Sequence, residues 1–359
     1  MTTPIPLFVE LCAGTAAVSL RLHRDGARPP VSRQGAKTGY ADAILRILGL
    51  IPGQRADRYL WCEPDPGVRL LLHAYRSAPL ARAAAAIIRS WAAEDPRALW
   101  ERLRAEGPPR LPEGPVDAGE VARWAVVGAW SFRAGQPDSG FNQSEAIGHP
   151  QSCKYPRDCT RLSDDYAAGS ALPATIAPDA RTIDPREVAR WAQIVASNRL
   201  IHTAWSDTEG RWINTGDGGC TFGGAAFCSP PERTAEGMEA APGDVPALIH
   251  PDARDIDPPA LPPGTVAYMD GPYENTTQYA NLLPRAEQVA IARRWGAAGA
   301  TVAISEAEPI PELVAEGWHA VEITGERVGQ KRVFSKQQAE WVTLNRAPAW
   351  TPPVQGRLF

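Results

Sequence analysis

Short apolar runs and longer amphipathic stretches alternate near both ends of the chain. The segments Leu7–Leu11, Tyr59–Glu63 and Thr265–Met269 are apolar runs of strand length, and acidic or small residues stand where each run ends. Apolar residues recur at helical spacing in Lys37–Leu48 and across residues 65–105. Strands that alternate with helices are typical of an α/β fold, in which helices cover a largely parallel sheet. The pattern therefore predicts the α/β class.

The middle of the chain lacks this regular pattern. A Pro-rich segment, PPRLPEGP, follows the first helical block, and residues 135–180 are polar and rich in turn-forming residues. We therefore predict a core made of residues 1–106 and 248–346, with residues 107–247 inserted as a second, mainly helical and irregular domain. Residues 347–359 form a Pro-rich tail.

The composition is that of a folded chain without a membrane segment. Of its 359 residues, 44% are hydrophobic and 22% are charged. No window approaches the roughly 18 uncharged apolar residues of a membrane span, and the N-terminus lacks a secretory signal pattern, so we expect a cytoplasmic location. Six cysteines in a chain of this length do not suggest a disulfide scaffold. A net charge of −4 neither supports nor excludes nucleic-acid binding, because a local basic cleft can lie on an acidic protein.

Open α/β sheets bind their ligands at the carboxyl ends of the strands, and two strand ends suit a nucleotide-like ligand. The first strand passes Glu10 and enters a turn of small residues, Cys12–Ala17, where the backbone at Gly14 can approach a ligand closely. The turn lacks the GxxxxGK[ST] pattern, which disfavours a P-loop ATPase. At the second strand end, Glu63 is suited to bind both hydroxyls of a ribose, and Asp65 competes for that role.

A third strand end carries the sequence Asp270-Gly271-Pro272-Tyr273. It resembles the Asp-Pro-Pro-Tyr motif of DNA methyltransferases that methylate exocyclic amines. In that reaction a carboxylate and a backbone carbonyl accept hydrogen bonds from the amine, which makes the nitrogen lone pair available, while an aromatic ring stacks on the flipped base. The resemblance assigns these roles to Asp270, Gly271 and Tyr273. Glycine replaces the family's first proline at position 271, so the loop loses rigidity.

Further segments extend the resemblance to the Dam-like class of N6-adenine DNA methyltransferases, particularly the phage-type forms. Phe8–Gly14 resembles the first S-adenosylmethionine-binding motif, and Gln34–Lys37 resembles a Gly-Gly-Lys segment that contacts the methionine part of the cofactor. This segment follows the first motif here, whereas it precedes that motif in most members. Pro251–Arg254 resembles the segment whose acid faces the adenine of the cofactor. Val302–Glu306 and Glu340–Arg346 resemble the motifs of the closing strands.

The resemblance implies a Rossmann-like S-adenosylmethionine-dependent methyltransferase sheet, with residues 107–247 as its target-recognition region. It implies methyl transfer to the N6 amine of adenine in DNA, by base flipping and direct in-line transfer, in a bacterial or phage-infected cell. DNA is then the partner, and neither a membrane nor an obligate protein partner is expected.

Specific residues follow from the resemblance and from the strand ends. The catalytic candidates are Asp270, Gly271, Pro272 and Tyr273. The candidates for binding S-adenosylmethionine are Glu10, Cys12, Ala13, Gly14, Lys37, Glu63 and Asp252. The candidate nucleic-acid contacts are basic residues of the middle and late segments, namely Arg133, Lys154, Arg157, Lys331 and Arg332.

Two alternatives to this function stay open. The same mechanism would serve the N4 amine of cytosine or a base in RNA, although an aspartate at the first motif position favours adenine within the family. The other alternative is a non-catalytic DNA-binding protein on a decayed methyltransferase scaffold, which Gly271 favours. Four cysteines of the middle region, Cys153, Cys159, Cys220 and Cys228, are spaced more widely than structural zinc sites prefer, so we assign no metal to them. His149 and His202 could replace missing ligands, and zinc binding by these cysteines stays an open alternative.

Overall fold

The computed structural model describes residues 4–31, 36–111, 114–131, 203–206, 211–214, 230–258, 260–273, 282–327 and 339–353. The strands in these segments are β1 (Phe8–Leu11), β2 (Tyr59–Cys62), β3 (Thr203–Ser206), β4 (Arg211–Asn214), β5 (Ala247–His250), β6 (Val266–Met269), β7 (Thr301–Glu306), β8 (His319–Glu322) and β9 (Trp341–Leu344). The helices are α1 (Ala17–His23), α2 (Ala41–Ile47), α3 (Pro66–Arg76), α4 (Ala78–Ser90), α5 (Pro96–Ala105), α6 (Ala118–Ala129), α7 (Pro230–Ala240), α8 (Arg285–Ala297) and α9 (Pro311–Ala315). Single 3₁₀ turns occur at Lys37–Gly39, Ala253–Asp255 and Thr324–Glu326. None of the helices described has the length and apolar composition that crossing a membrane requires.

Seven strands form one sheet in the order β5-β2-β1-β6-β7-β9-β8, while β3 and β4 pair as a separate antiparallel ribbon. The first five strands of the sheet are parallel, whereas β9 runs antiparallel to both of its neighbours. From β1 the chain forms β2 and β5 on one side, and it then returns to form β6 and β7 on the other side. The topological switch point therefore lies between β1 and β6. The predicted α/β class with a largely parallel sheet is confirmed.

The central strands are apolar because helices cover both faces of the sheet. All residues of β1 and β6 are buried. Successive side chains of β6 point to opposite faces, so Val266 and Tyr268 join one hydrophobic core while Ala267 and Met269 join the other. The first core contains residues of α1 to α7, and the second contains residues of α8 and α9.

Capping side chains set where several helices on the first face begin. Asp65 and Asp95 each accept hydrogen bonds from two backbone N–H groups, and a proline follows each of them at the start of α3 and α5. Ser77 caps α4 and Asp117 caps α6 in the same way, each through one backbone N–H. Short polar side chains in these positions satisfy N–H groups that the helix itself leaves without partners.

Helices of the predicted insertion contribute to the core on the first face. A Cβ at Gly67 of α3 would lie 1.4 Å from Trp124 Nε1 of α6, so the indole fills the space beside this glycine. Trp130 Nε1, at the end of α6, donates a hydrogen bond of 3.3 Å to Thr234 Oγ1 of α7. The core that surrounds α3 and α4 therefore continues into α6 and α7, which lie within residues 107–247.

Candidate active site

Four strand ends lie side by side along one edge of the sheet, because β5, β2, β1 and β6 are parallel neighbours. In that order they lead into Asp252, Glu63, the turn Cys12–Ala16 and Asp270. Burial raises the pKa of the Cys12 thiol well above its usual range, and the charges of Glu63, Asp270 and Asp252 raise it further. The structure thus gathers these predicted segments around Cys12.

The turn after β1 has an unusual backbone. Cys12, Gly14 and Ala16 have φ angles of 110°, 49° and 52°. Residues other than glycine rarely adopt positive φ angles, so the backbone at Cys12 and Ala16 is strained. Two hydrogen bonds from Cys12 N and Ala13 N to the carbonyl of Cys62 hold the turn against β2, at 3.2 and 2.7 Å. Strained backbone that the surrounding structure enforces is concentrated at functional sites in proteins. The turn is therefore a candidate ligand cradle.

Glu63 connects the end of β2 with the turn that follows β1. Its Oε2 accepts a hydrogen bond of 2.8 Å from Gly14 N, and its Oε1 accepts one of 3.0 Å from Asp65 N. Asp65, the competing acid, instead caps α3 by accepting from Gly67 N at 2.8 Å and from Val68 N at 3.3 Å. Of the two carboxylates, Glu63 is thus the one that contacts the turn after β1.

Glu10 lies within the core rather than at the strand end. Its carboxylate is buried and accepts a hydrogen bond of 3.3 Å from Ser19 N in α1. Burial raises the pKa of Glu10 to about 8; hydrogen bonds from Ser19 oppose this rise, and the charge of Asp270 adds to it. The side chain therefore ties β1 to α1 next to the predicted cofactor turn.

Asp252 is held by its own loop. It accepts a hydrogen bond of 2.9 Å from Arg254 N, and it forms an ion pair of 2.5 Å with Arg254 Nη2. The Arg254 guanidinium lowers the pKa of Asp252, so this carboxyl is ionised at neutral pH. The structure places Asp252 after β5, two strands away from β1 along the same edge.

Asp270 belongs to a cluster of four polar side chains, together with Lys37, Tyr273 and Glu340. Lys37 Nζ lies 2.7 Å from Asp270 Oδ1 and 3.5 Å from Glu340 Oε1. The same ammonium lies 4.7 Å from the centre of the Tyr273 ring, which is within the range of a cation–π contact. The Tyr273 hydroxyl donates a hydrogen bond to Glu340 Oε1. Lys37, predicted as a cofactor contact, is thus brought together with the predicted catalytic residues.

The electrostatics of this cluster depend on burial and on the balance of charges. Burial raises the pKa of Asp270 to about 6; Lys37 opposes the rise, and the carboxylates of Glu340 and Glu306 add to it. Burial also raises the pKa of Tyr273, and the neighbouring charge of Asp270 raises it further. At neutral pH Asp270 is therefore mostly ionised, while Tyr273 keeps its proton and acts as a hydrogen-bond donor.

Glu340 is a site residue that the sequence interpretation assigned only to a closing-strand motif. It is buried, and it immediately precedes β9. Because β9 runs antiparallel to β7, the start of β9 lies where β7 ends, and Trp341 pairs with Glu306 in the register. A residue just before an antiparallel strand therefore shares the edge with residues just after parallel strands. That rule would have indicated Glu340 had the direction of β9 been known.

Other predicted residues cannot be placed. The five predicted nucleic-acid contacts lie outside the described residues: Arg133, Lys154, Arg157, Lys331 and Arg332. The same holds for Cys153, Cys159, Cys220 and Cys228. Within the segments that the structure covers, no group of three or more histidine, cysteine, aspartate or glutamate side chains is arranged to hold a metal ion.

No protein-family model and no curated protein matches this chain. The side chains at the carboxyl edge of the sheet combine carboxylates, an aromatic ring and a strained turn beside the switch point, where doubly wound sheets bind their ligands.

Proposed function

We propose that this chain is an S-adenosylmethionine-dependent methyltransferase that acts on the N6 amine of adenine in DNA. The observation that carries the proposal is the position of Asp270 and Tyr273 after β6, beside the strained turn that follows β1. Both side chains contact a single nitrogen, Lys37 Nζ, so one amino group can reach the carboxylate and the ring together. Amine methylation of a flipped base needs that pair of contacts.

The sheet order supports the same proposal. It is doubly wound, with the antiparallel strand β9 inserted between β7 and β8. This sheet is compatible with the Rossmann-like sheet that the sequence resemblance implies. Doubly wound sheets bind nucleotide cofactors at the switch point, which here lies between β1 and β6.

The residues at the switch point fit S-adenosylmethionine. A Cβ at Gly14 would meet no atom within 4 Å, so a ligand has open space in front of this backbone. Glu63 lies at the end of β2, where an acid can bind ribose hydroxyls. Asp252 lies one strand further out, which agrees with the adenine contact that the resemblance implies for it. When bound, the cofactor would supply a methyl group on a positively charged sulfur, a charge that these carboxylates favour.

Asp270, Gly271 and Tyr273 would hold the target base. In the proposed reaction the Asp270 carboxylate and the Gly271 carbonyl accept hydrogen bonds from the two N–H groups of the amine. These bonds favour a pyramidal nitrogen, whose lone pair is no longer delocalised into the base. The Tyr273 ring stacks on the base, and its hydroxyl is anchored to Glu340. Asp270 accepts the proton that the nitrogen loses as the nitrogen–carbon bond forms and the carbon–sulfur bond breaks.

Lys37 would have to leave its position before the base enters. Its ammonium makes the contacts with Asp270 and Tyr273 that the proposed reaction assigns to the target amine. Glu340 Oε1, 3.5 Å from Nζ, offers a second carboxylate toward which the ammonium can shift. Until the base enters, Lys37 favours the ionised form of Asp270. The predicted contact between Lys37 and the methionine part of the cofactor stays a prediction.

Methyl transfer from labelled S-adenosylmethionine to unmethylated DNA tests the proposal, with the digested nucleosides identified by mass spectrometry. We expect N6-methyladenosine from the wild type and roughly a 100-fold or greater loss of rate in Asp270→Ala. Asp95→Ala is the matched control, because it removes a capping carboxylate of α5 away from the strand ends. We expect the control to retain the wild-type rate.

The outcomes separate the alternatives. N4-methylcytosine as the product would retain the mechanism and replace the base. Methylated RNA with unmodified DNA would replace the substrate. Absence of methyl transfer to any nucleic acid, together with no rise in the unfolding temperature on adding S-adenosylmethionine, would overturn the proposal and leave the non-catalytic scaffold.

A further inference from the structure

A buried glutamine contacts the loop between Asp270 and Tyr273. Gln288 belongs to the first turn of α8, and its side chain is only 3% exposed. Its Nε2 donates hydrogen bonds of 2.9 Å to the carbonyl of Pro272 and of 2.9 Å to the carbonyl of Leu283. Both donor hydrogens of the amide are thus used to connect the loop after β6 with the segment that leads into α8.

The same amide explains why residue 271 is glycine. A Cβ at Gly271 would lie 2.5 Å from Gln288 Oε1, 2.6 Å from Cδ and 2.9 Å from Nε2, closer than real Cβ atoms approach other heavy atoms. Any other residue, proline included, carries a Cβ and would push the amide away. Although the amide is the end of a flexible side chain, moving it breaks its bonds to Pro272 and Leu283.

We propose that Gln288 is a positioning residue that fixes the Asp270–Tyr273 loop, and that Gly271 and Gln288 work only as a pair. This inference rests on the proposed function for its catalytic consequence. A proline at position 271 would restrict the loop through its ring, and glycine gives no such restriction. Gln288 restores the restriction through a hydrogen bond from α8 to the next residue, Pro272. The placement of the carboxylate and the ring therefore depends on a side chain outside the motif.

Gln288→Met tests the positioning role, because methionine keeps the length and volume of the side chain and loses both donors. We expect kcat for methyl transfer to fall by roughly 10- to 100-fold, since two buried hydrogen bonds that fix the loop are lost. We expect KM for S-adenosylmethionine to stay within about twofold, because a role in base holding affects kcat and not cofactor binding. Ala290→Ser, at an exposed position of the same helix, is the control.

A double-mutant cycle tests the pairing. Gly271→Ala in the wild type should lower kcat by roughly tenfold or more, because the new Cβ displaces the amide. In a Gln288→Ala background, where the space is empty, the same change should alter kcat by less than about twofold. Equal effects of Gly271→Ala in both backgrounds would contradict the pairing.

Hydrogen exchange followed by mass spectrometry gives a readout that does not need activity. The peptide that contains Asp270–Tyr273 should exchange faster in Gln288→Met than in the wild type, while a peptide from β7 should not change. Unchanged exchange in the loop peptide would overturn the inference, whether or not the chain methylates DNA. Faster exchange in a chain whose wild type neither transfers a methyl group nor gains stability from S-adenosylmethionine would support the positioning role and reject the proposed reaction.

Discussion

Lys37→Met keeps the length of the side chain and removes the charge that faces Asp270. The ammonium is only 6% exposed and lies 2.7 Å from the carboxylate, which is 20% exposed. Breaking a buried ion pair by removing one partner costs roughly 3–5 kcal/mol, because the remaining charge is left without compensation. Asp270 keeps some contact with solvent, so we expect the lower end of this range. The free energy of unfolding of Lys37→Met should be lower than that of the wild type by about 3 kcal/mol at about pH 8.

The loss should depend on pH in a defined direction. The folded-state pKa of Asp270, about 6, lies above its ordinary value of 3.8, so this carboxyl favours folding at low pH and destabilises the fold as pH rises. At a pH above both values, a rise of this size in the pKa lowers the free energy of unfolding by about 3 kcal/mol. Lys37 opposes the rise in pKa, and its removal should raise the pKa of Asp270 further. The stability difference between variant and wild type should therefore be small near pH 5 and grow toward about pH 8.

Thermal unfolding by calorimetry, at fixed ionic strength and several pH values, measures this difference. Arg97→Met is the control. Arg97 forms an ion pair of 2.9 Å with Glu101, but the two side chains are 72% and 56% exposed, respectively. An exposed pair of this kind contributes less than about 1 kcal/mol, with little dependence on pH between 5 and 8. A Lys37→Met loss that is the same at both ends of the pH range, or no larger than the control, would refute the reasoning.

Two further predictions concern packing and the second strand end. Gly67→Ala should destabilise the fold by roughly 1–3 kcal/mol or more, because its Cβ would overlap Trp124, whereas Gly114→Ala, with no atom within 4 Å, should lower the unfolding temperature little. Glu63→Gln should weaken S-adenosylmethionine binding by roughly tenfold in titration calorimetry, since a neutral amide accepts ribose hydroxyls less strongly. Asp65→Ala should instead lower the stability by about 1 kcal/mol, because α3 loses its N-terminal cap. Equal affinities of Glu63→Gln and Asp65→Ala for S-adenosylmethionine would contradict this division of roles.

The apolar runs predicted the central strands because those strands are covered on both faces. The runs at Leu7–Leu11, Tyr59–Glu63 and Thr265–Met269 correspond to β1, β2 and β6. The edge strand β5 was not predicted, since it has a neighbour on one side only and Leu248 within it is 67% exposed. Its three apolar residues, Ala247–Ile249, stand between Pro246 and His250, and so short a run does not by itself indicate a strand.

The candidate site was predictable where its residues follow parallel strands. Glu63 and Asp270 could be placed at one edge because neighbouring parallel strands end together. Glu340 could not, since it lies 67 residues from Tyr273 along the chain and its position depends on the direction of β9. Lys37 was predicted as a site residue, yet its contact with Asp270 depends on side-chain geometry that no local pattern encodes.

The position of β9 between β7 and β8 has a consequence for the order in which the chain can fold during synthesis. Among the described strands of this sheet β9 is the last along the chain, and within the described residues β8 bonds to the sheet only through it. On a ribosome, β7 therefore stays an open edge, with unpaired backbone groups, until residues 341–344 emerge. Glu340 arrives with them, so the cluster around Asp270 is completed at the moment the sheet closes. The same strand thus completes both the sheet and the cluster around Asp270, so neither is complete before the other.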